Sequence, residues 1–368
     1  MRDVKIKVWY PNLVILLFMP FTVYAQSKFS NLIYFINIIN TIYYLVRYYR
    51  FYTKLIYNRA VFLFIIFNIF EVISCIINNN LTFGIIYSIL YTYVVIGIII
   101  INKSIIVKKL AYLFKIIITL NLIVYIFHDK IFKEINAISL IGNKNDMSVF
   151  LIPMVAIILI DYLETKQISS YFFAILGSIS IFIGQSSTGI ICAFLCLFIV
   201  LGYKYININR KILVFAFFIL LVLLIFSRVT FLDYIANALN KDITFSNRTL
   251  IWEQTIENIM ISPILGYGRG AIAATVNIYG NMFQKFNSTH NIFLQVFFEG
   301  GLIAGVSFLL LLFNIISLLK VKNKISKVSM YFIIVMFVAG LMESFANHLM
   351  LWILLFVIYI VNSNISDK

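Results

Sequence analysis

The sequence predicts an all-α polytopic membrane protein of about twelve transmembrane helices with one large extracytoplasmic loop late in the chain, and three observations predict it. Of 368 residues, 62% are hydrophobic and only 12% are charged, with a mean hydropathy of +1.01; soluble domains carry about 25% charged residues. The apolar residues come in runs close to the ~17 to 25 that cross a bilayer as a helix. The lysines and arginines gather in the short segments between those runs. The net charge of +15 therefore reads as topology signal and lipid-headgroup contact, with no nucleic-acid partner.

In chain order the expected spans lie near 10–25, 31–46, 60–77, 83–101, 110–127, 148–160, 170–185, 189–203, 212–227, 291–319, 329–342 and 348–361. The sixth, eleventh and twelfth are short enough to be tilted or partly re-entrant. No small-residue cleavage site precedes the first span, which is expected to stay. With a cytoplasmic N-terminus, the inside segments hold nineteen of the 29 basic residues, among them Arg47, Arg50, Lys54, Arg59, Lys103, Lys108, Lys109 and Lys320 to Lys327. That bias places both ends of the chain in the cytoplasm. The parts are then 1–227 with nine helices, 228–290 as the large outer loop, and 291–368 with three more helices, forming one integral membrane domain. Cys75, Cys192 and Cys196 lie inside apolar runs and read as packing residues, with no disulfide or metal role.

Two outer loops stand out. The first, about 128–146, ends in Gly142-Asn143-Lys144-Asn145-Asp146, a turn-rich run directly before a helix and a candidate cap. The second, 228–290, is too long to be a mere connection. Within it Ser246 or Asn247 can cap a helix with an apolar stripe of Leu250 or Ile251, Ile256 and Ile259, stopped by Pro263 and the Gly266-Tyr267-Gly268-Arg269-Gly270 run. Arg248 falls in the first turn, where a cation meets the positive end of the helix dipole and needs a compensating anion. Glu253 and Glu257 are its candidates within the helix.

The polar residues concentrate between Arg248 and Gly305. A membrane helix starts at Asn291, and Asn291, Gln295 and Glu299 recur on one arc of it, which asks for a polar-lined pocket at that surface. Gly301 and Gly305 form a small-xxx-small pair that admits a second helix. Glu71 and Lys115 also lie inside spans, and a buried pair between them is one option. Glu343 and His348 flank the short outer turn between the last two spans and read as structural.

The pattern Arg248-Thr-Leu-Ile-Trp252, then Pro263-Ile-Leu-Gly266-Tyr-Gly268, then His290-Asn291 with Leu294, Glu299, Gly300 and Gly305 resembles the O-antigen polymerase and ligase superfamily. Gly142 to Asn145 is similar to that family's short Asn-containing outer loop. One departure is Gln185-Ser186-Ser187-Thr188-Gly189 at the outer end of the seventh span, where many ligases carry an arginine after a serine; this leans the resemblance towards a Wzy-type polymerase.

The resemblance implies a GT-C-like fold and inverting, metal-independent glycosyl transfer without a cofactor, at the outer face of the cytoplasmic (inner) membrane. Donor and acceptor would be glycans linked to undecaprenyl pyrophosphate, with a polysaccharide chain-length regulator as a further partner. The residue types suit that chemistry. Arginine's planar fork matches pyrophosphate oxygens and stabilises the leaving group, with Arg248 first choice and Arg269 second. A histidine titrating near neutrality can orient and deprotonate the acceptor hydroxyl, and His290 is the candidate base. Asn291, Glu299, Arg228 and Asn145 join Arg269 as expected substrate contacts. The competing readings are an O-antigen ligase and a flippase or transporter; the latter lacks an internal repeat. A polyprenyl-phosphate-sugar transferase with an acidic metal motif is disfavoured, since the first outer loop, 25–31, holds no acid.

Overall fold

The computed structural model describes residues 30–103, 105–127, 139–142, 144–206, 248–277, 283–320 and 323–366. The expected spans at 10–25 and 212–227, and with them Arg228, lie outside the described residues. The other expected spans are helices: α1 (Ser30–Arg47), then, after the short α2 (Tyr49–Leu55), α3 (Arg59–Ile77), α4 (Phe83–Ile101), α5 (Ile106–Ile126), α6 (Asp146–Thr165), α7 (Ile168–Ser180) and α8 (Ser187–Gly202). The loop helix α9 (Arg248–Ile261) and a hairpin of β1 (Ala274–Asn277) and β2 (Phe283–Phe286) come next, followed by α10 (Ile292–Ser317), α11 (Lys324–Gly340) and α12 (Leu349–Ser366). Five of these, α3, α4, α5, α6 and α10, are long and apolar enough to cross a membrane, and α7, α8 and α12 are shorter apolar helices. The chain is an all-α, multi-pass membrane protein.

The hub is α6, which packs against α5, α7, α8, α11 and α12. Every residue from Met147 to Asp161 is buried, as expected of a helix that is apolar all round. On the other side α10 lies along α3, and the rings of Phe64, Phe67, Phe308 and Trp352 meet edge-on or tilted at centroid distances of 4.7 to 6.1 Å, joining α3, α10 and α12.

The structural feature that matters most for the end of the bundle that carries His290 is a break in α10. Gly301 has φ 66° and ψ −167°, so the helix is two half-helices in sequence. The peptide groups freed by the break are taken up by the segment after α9: Tyr267 and Gly268 N–H donate to the carbonyls of Phe298 and Glu299, both at 2.8 Å, and Leu302 N–H donates to the Pro263 carbonyl at 2.7 Å. Only glycine fits, because a Cβ on Gly301 would strike the Ile264 carbonyl. This corrects the expectation of a small-residue stripe at Gly301 and Gly305: Gly305 is covered by Phe297 of its own helix, and the close approach to α3 is made by Gly300, against Glu71.

Glu71 and Lys115 do not pair with each other. Glu71 binds Arg269, and Lys115 reaches Asp161 at 4.0 Å, with Ser170 between them accepting from Lys115 at 2.7 Å and donating to Asp161 at 2.6 Å. The buried face of α9 is Ile251, Trp252 and Thr255, with Leu250 exposed; Ile251 lies on the expected stripe, whereas Ile256 and Ile259 are only partly buried. The antiparallel hairpin, with Ala274 opposite Phe286, covers Ile251 and was not expected from the sequence.

Gly301→Ala is expected to cost about 2 kcal/mol or more, since a left-handed φ is unfavourable for an L-residue and the added carbon has nowhere to go. Gly270→Ala, at φ 79° with no atom in reach of its Cβ, should cost only about 1 kcal/mol. Thermal unfolding in detergent checks this; equal melting temperatures would contradict a tightly stitched break.

Candidate active site

His290 sits in the turn ahead of α10 with φ 50°, a left-handed conformation that histidine adopts more readily than most residues but that still needs support. The support is dense. Ser288 Oγ accepts from His290 N–H at 3.1 Å, Gln295 Oε1 accepts from Thr289 N–H at 2.8 Å, and Thr289 Oγ donates to the Asn291 carbonyl at 2.7 Å. Trp252 of α9 donates its indole N–H to the Thr289 carbonyl at 2.9 Å, tying the loop helix to the same turn. Asn291 closes the arrangement as the α10 N-cap, its side chain accepting from the N–H groups of Phe293 and Leu294 and donating to the Leu341 carbonyl at 3.3 Å.

Across from this turn, at the C-terminal end of α11, stands Glu343. Its Oε1 accepts from Arg248 Nη2 at 2.8 Å and its Oε2 lies 3.4 Å from His290 Nδ1. One carboxylate therefore gathers the two residues that the sequence nominates for catalysis. Each end of the ion pair is at the unfavourable pole of its own helix: Arg248 opens α9, and Glu343 follows the last turn of α11, bonded to the Ala339 carbonyl. Pairing them offsets both dipole penalties. The anion that Arg248 requires is thus Glu343 from a distant segment, and Glu343 is the residue that sequence reasoning missed. The sequence offers a lone acid in the turn between the last two spans and a cation in need of one, but nothing in it that connects positions 95 residues apart.

The two arginines differ in what they have left to give. Arg248 makes one side-chain hydrogen bond among the described residues, with 17% of its side chain exposed. Arg269 is 10% exposed and spends its fork on Glu71 (Nε to Oε2, 2.7 Å, with Nη2 to the same oxygen), Asn68 (2.8 Å) and Ser88 (3.2 Å), while its backbone N–H donates to Cys75 Sγ. It anchors the glycine-rich segment to α3 and α4 and lies apart from His290 and Glu343. Glu299 and Asn291 are buried, with 4% and 0% of each residue exposed. Asn145 is exposed at the start of α6, makes no side-chain cap bond and accepts from Ser148 Oγ through its carbonyl. His348 stands beside Phe150, centroids 4.5 Å apart, and accepts from Met350 N–H. Among the described residues no three His, Cys, Asp or Glu side chains are grouped to hold a metal ion.

The comparisons with known proteins bear on this same region. Residues 172–309 match the O-antigen ligase family. The matched stretch contains Arg248, Arg269, His290, Asn291 and Glu299, and Glu343 lies beyond it. A curated relative, the ComP-specific O-oligosaccharyltransferase of Acinetobacter baylyi, is 26% identical over 268 residues, covering 66% of this chain and 48% of the relative. The chain spans about half the length of that relative. No solved structure matches it. Both matches support the resemblance to the O-antigen polymerase and ligase superfamily that the motif carries.

Removing one partner of a buried ion pair leaves an uncompensated charge, worth about 3–5 kcal/mol, whereas a partly exposed pair contributes about 0–1 kcal/mol. Arg269→Ala is therefore expected to lower stability severely and Arg248→Ala hardly at all. Replacing both Arg269 and Glu71 by apolar residues should recover much of the loss. Membrane yield and melting temperature measure all three variants.

Proposed function

We propose that this chain is a membrane glycosyltransferase that moves a lipid-pyrophosphate-linked oligosaccharide onto an acceptor hydroxyl at the outer face of the cytoplasmic membrane, with Arg248, His290 and Glu343 as its working residues. The observation that carries the reading is the convergence of Arg248 and His290 on one carboxylate at a partly open surface, with 28% of the His290 side chain and 17% of the Arg248 side chain exposed. In the proposed reaction Glu343 holds the Nδ1–H of His290, which fixes the tautomer and leaves Nε2 as the base. The acceptor oxygen attacks the anomeric carbon as its proton passes to Nε2. The bond from that carbon to the lipid pyrophosphate breaks with inversion, and the electron pair leaves on the pyrophosphate. The N–H donors of Arg248 not used by Glu343 stabilise the charge that develops there. Donor pyrophosphate is already a good leaving group, so orientation and charge stabilisation are the main contributions asked of the protein.

Two acceptors are compatible with this chemistry. Extension of a second lipid-linked repeat unit, as in a Wzy-type polymerase of O-antigen or capsule, is the reading favoured by Gln185-Ser186-Ser187-Thr188-Gly189, which lacks the arginine that many ligases carry after a serine there. Transfer to a different acceptor is favoured by the O-antigen ligase match and by the relative's name, an O-oligosaccharyltransferase.

The test is complementation of a strain lacking its own polymerase, with glycan length resolved as a ladder. Wild-type chain should restore the ladder, and His290→Ala and Arg248→Ala should abolish it at normal membrane levels. Glu343→Gln, which keeps shape but loses charge, should slow transfer about 100-fold, within the range for loss of a positioned acid–base system. Full-length polymer in the His290 and Arg248 variants would overturn the assignment. Polymer that forms without this chain but leaves its lipid carrier only when the chain is supplied would select the ligase acceptor.

A further inference from the structure

We infer that Glu299 is a positioning residue, the buried tie that holds the His290 turn and the Glu343 turn in register, touching neither substrate nor reacting atoms. The inference rests on the active site proposed above. Glu299 lies in the last turn of the outer half of α10, just before the Gly301 break, and is 4% exposed. Both of its carboxylate oxygens are already engaged. Oε1 accepts from Gln295 Nε2 at 2.7 Å, and Gln295 in turn accepts from Thr289 N–H at 2.8 Å, next to His290. Oε2 accepts from Asn347 Nδ2 at 2.8 Å, and Asn347 shares its short turn with Glu343. The Glu299 carbonyl accepts from Gly268 N–H at 2.8 Å, fixing the segment that follows α9, the helix opened by Arg248.

The Glu299 side chain thus joins the His290 turn, through Gln295, to the Glu343 turn, through Asn347, while its backbone carbonyl holds the segment that follows α9. Two other ties join the His290 and Glu343 turns, Ser288 with Ser344 and Asn291 with the Leu341 carbonyl. Neither reaches the Gly268 segment. A residue with both oxygens spent and almost no exposed surface is poorly placed to grip a sugar. It is well placed to set the distance between two chain turns, and errors of about 1 Å in such distances cost roughly 100-fold in rate.

One further detail separates a tie from a charge. The Oδ1 of Asn347 is buried without a hydrogen-bond partner. If Glu299 becomes glutamine, rotating the Asn347 amide end for end presents that oxygen to the new side-chain N–H, so both links survive. Alanine removes both.

The experiment uses two readouts on the full chain in membranes. In the first, the S288C/S344C pair reports how often the two turns meet, through the rate of disulfide formation under mild oxidation; the native cysteines are buried and free. The second is kcat and KM for a lipid-pyrophosphate-linked oligosaccharide, measured on Glu299 variants without the added cysteines. Glu299→Ala, which loses both buried side-chain hydrogen bonds, should cross-link about ten-fold more slowly. Its kcat should fall about 100-fold with KM for the donor unchanged. Glu299→Gln should behave close to wild type in both. If Glu299→Ala fails to accumulate, Asn347→Ala removes only the Glu343-side link and should show the same slowed cross-linking. Glu299→Gln as inactive as Glu299→Ala would overturn the inference in favour of a carboxylate acting on substrate, and so would wild-type cross-linking in both alanine variants. Should wild-type chain transfer no glycan, the proposed function fails, while the cross-linking rates still decide whether Glu299 holds the two turns.

Discussion

A helix interrupted inside an apolar bundle must find partners for the peptide groups it releases, because no water is there to serve them. That requirement at Gly301 shapes the outer half of this protein. The Pro263–Gly268 segment supplies two N–H donors and one carbonyl to the broken α10, so that segment is held to the bundle. Once that segment is fixed, α9 is held at its far end by the break and near its start by Trp252 on the Thr289 carbonyl. Arg248, one turn before Trp252, then has one place to be. The backbone of the break also puts Glu299 where three segments meet. A single unusual φ, accepted because glycine lacks a Cβ, is what lets residues far apart in sequence share one surface.

Two ion pairs described within the bundle each have their own structural consequence. Arg269 with Glu71 clamps the glycine-rich segment to α3. Lys115 with Asp161, bridged by Ser170, ties α5, α6 and α7. These pairs join elements that would otherwise meet only through apolar contacts, which fix burial well but orientation poorly. The polar network from Thr289 through Gln295 and Glu299 to Asn347 does the same for the His290 and Glu343 turns.

Much of this was legible because it is local. Asn291 begins α10 as a helix-capping asparagine should, the spans follow apolar run length, and Arg248 opening a helix announces a need for an anion. What was not legible is long in sequence. Glu343 lies 95 residues from Arg248, and Glu71 lies 198 residues from Arg269; no periodicity or spacing connects such positions. Nearer acids, Glu253 and Glu257, looked like better partners for Arg248 than they are, because a helix's own dipole and neighbours are all that a local reading can weigh. The hairpin was missed for a different reason. β1 alternates buried with less buried residues over only four positions and β2 is largely exposed, too short and too weak a period to mark a half-buried strand in the sequence.

The contrast between the two arginines shows why residue type alone does not make an anion site. Both have the same planar fork and both lie in the same polar stretch. A ligand pyrophosphate that approached Arg269 would have to displace Glu71, whose side chain is fully buried, and strand that carboxylate without compensation, at about 3–5 kcal/mol. At Arg248 the exchange is different. Its partner Glu343 keeps 12% of its side chain in contact with the surroundings and has His290 as a second neighbour, so a partly exposed pair worth about 0–1 kcal/mol is all that an incoming anion competes against. Donors left unspent, and a partner that can be shared, are what fit Arg248 to the role given it in the proposed reaction, meeting charge that develops on the leaving group. The same reasoning places Arg269 with the framework: its value lies in never letting go.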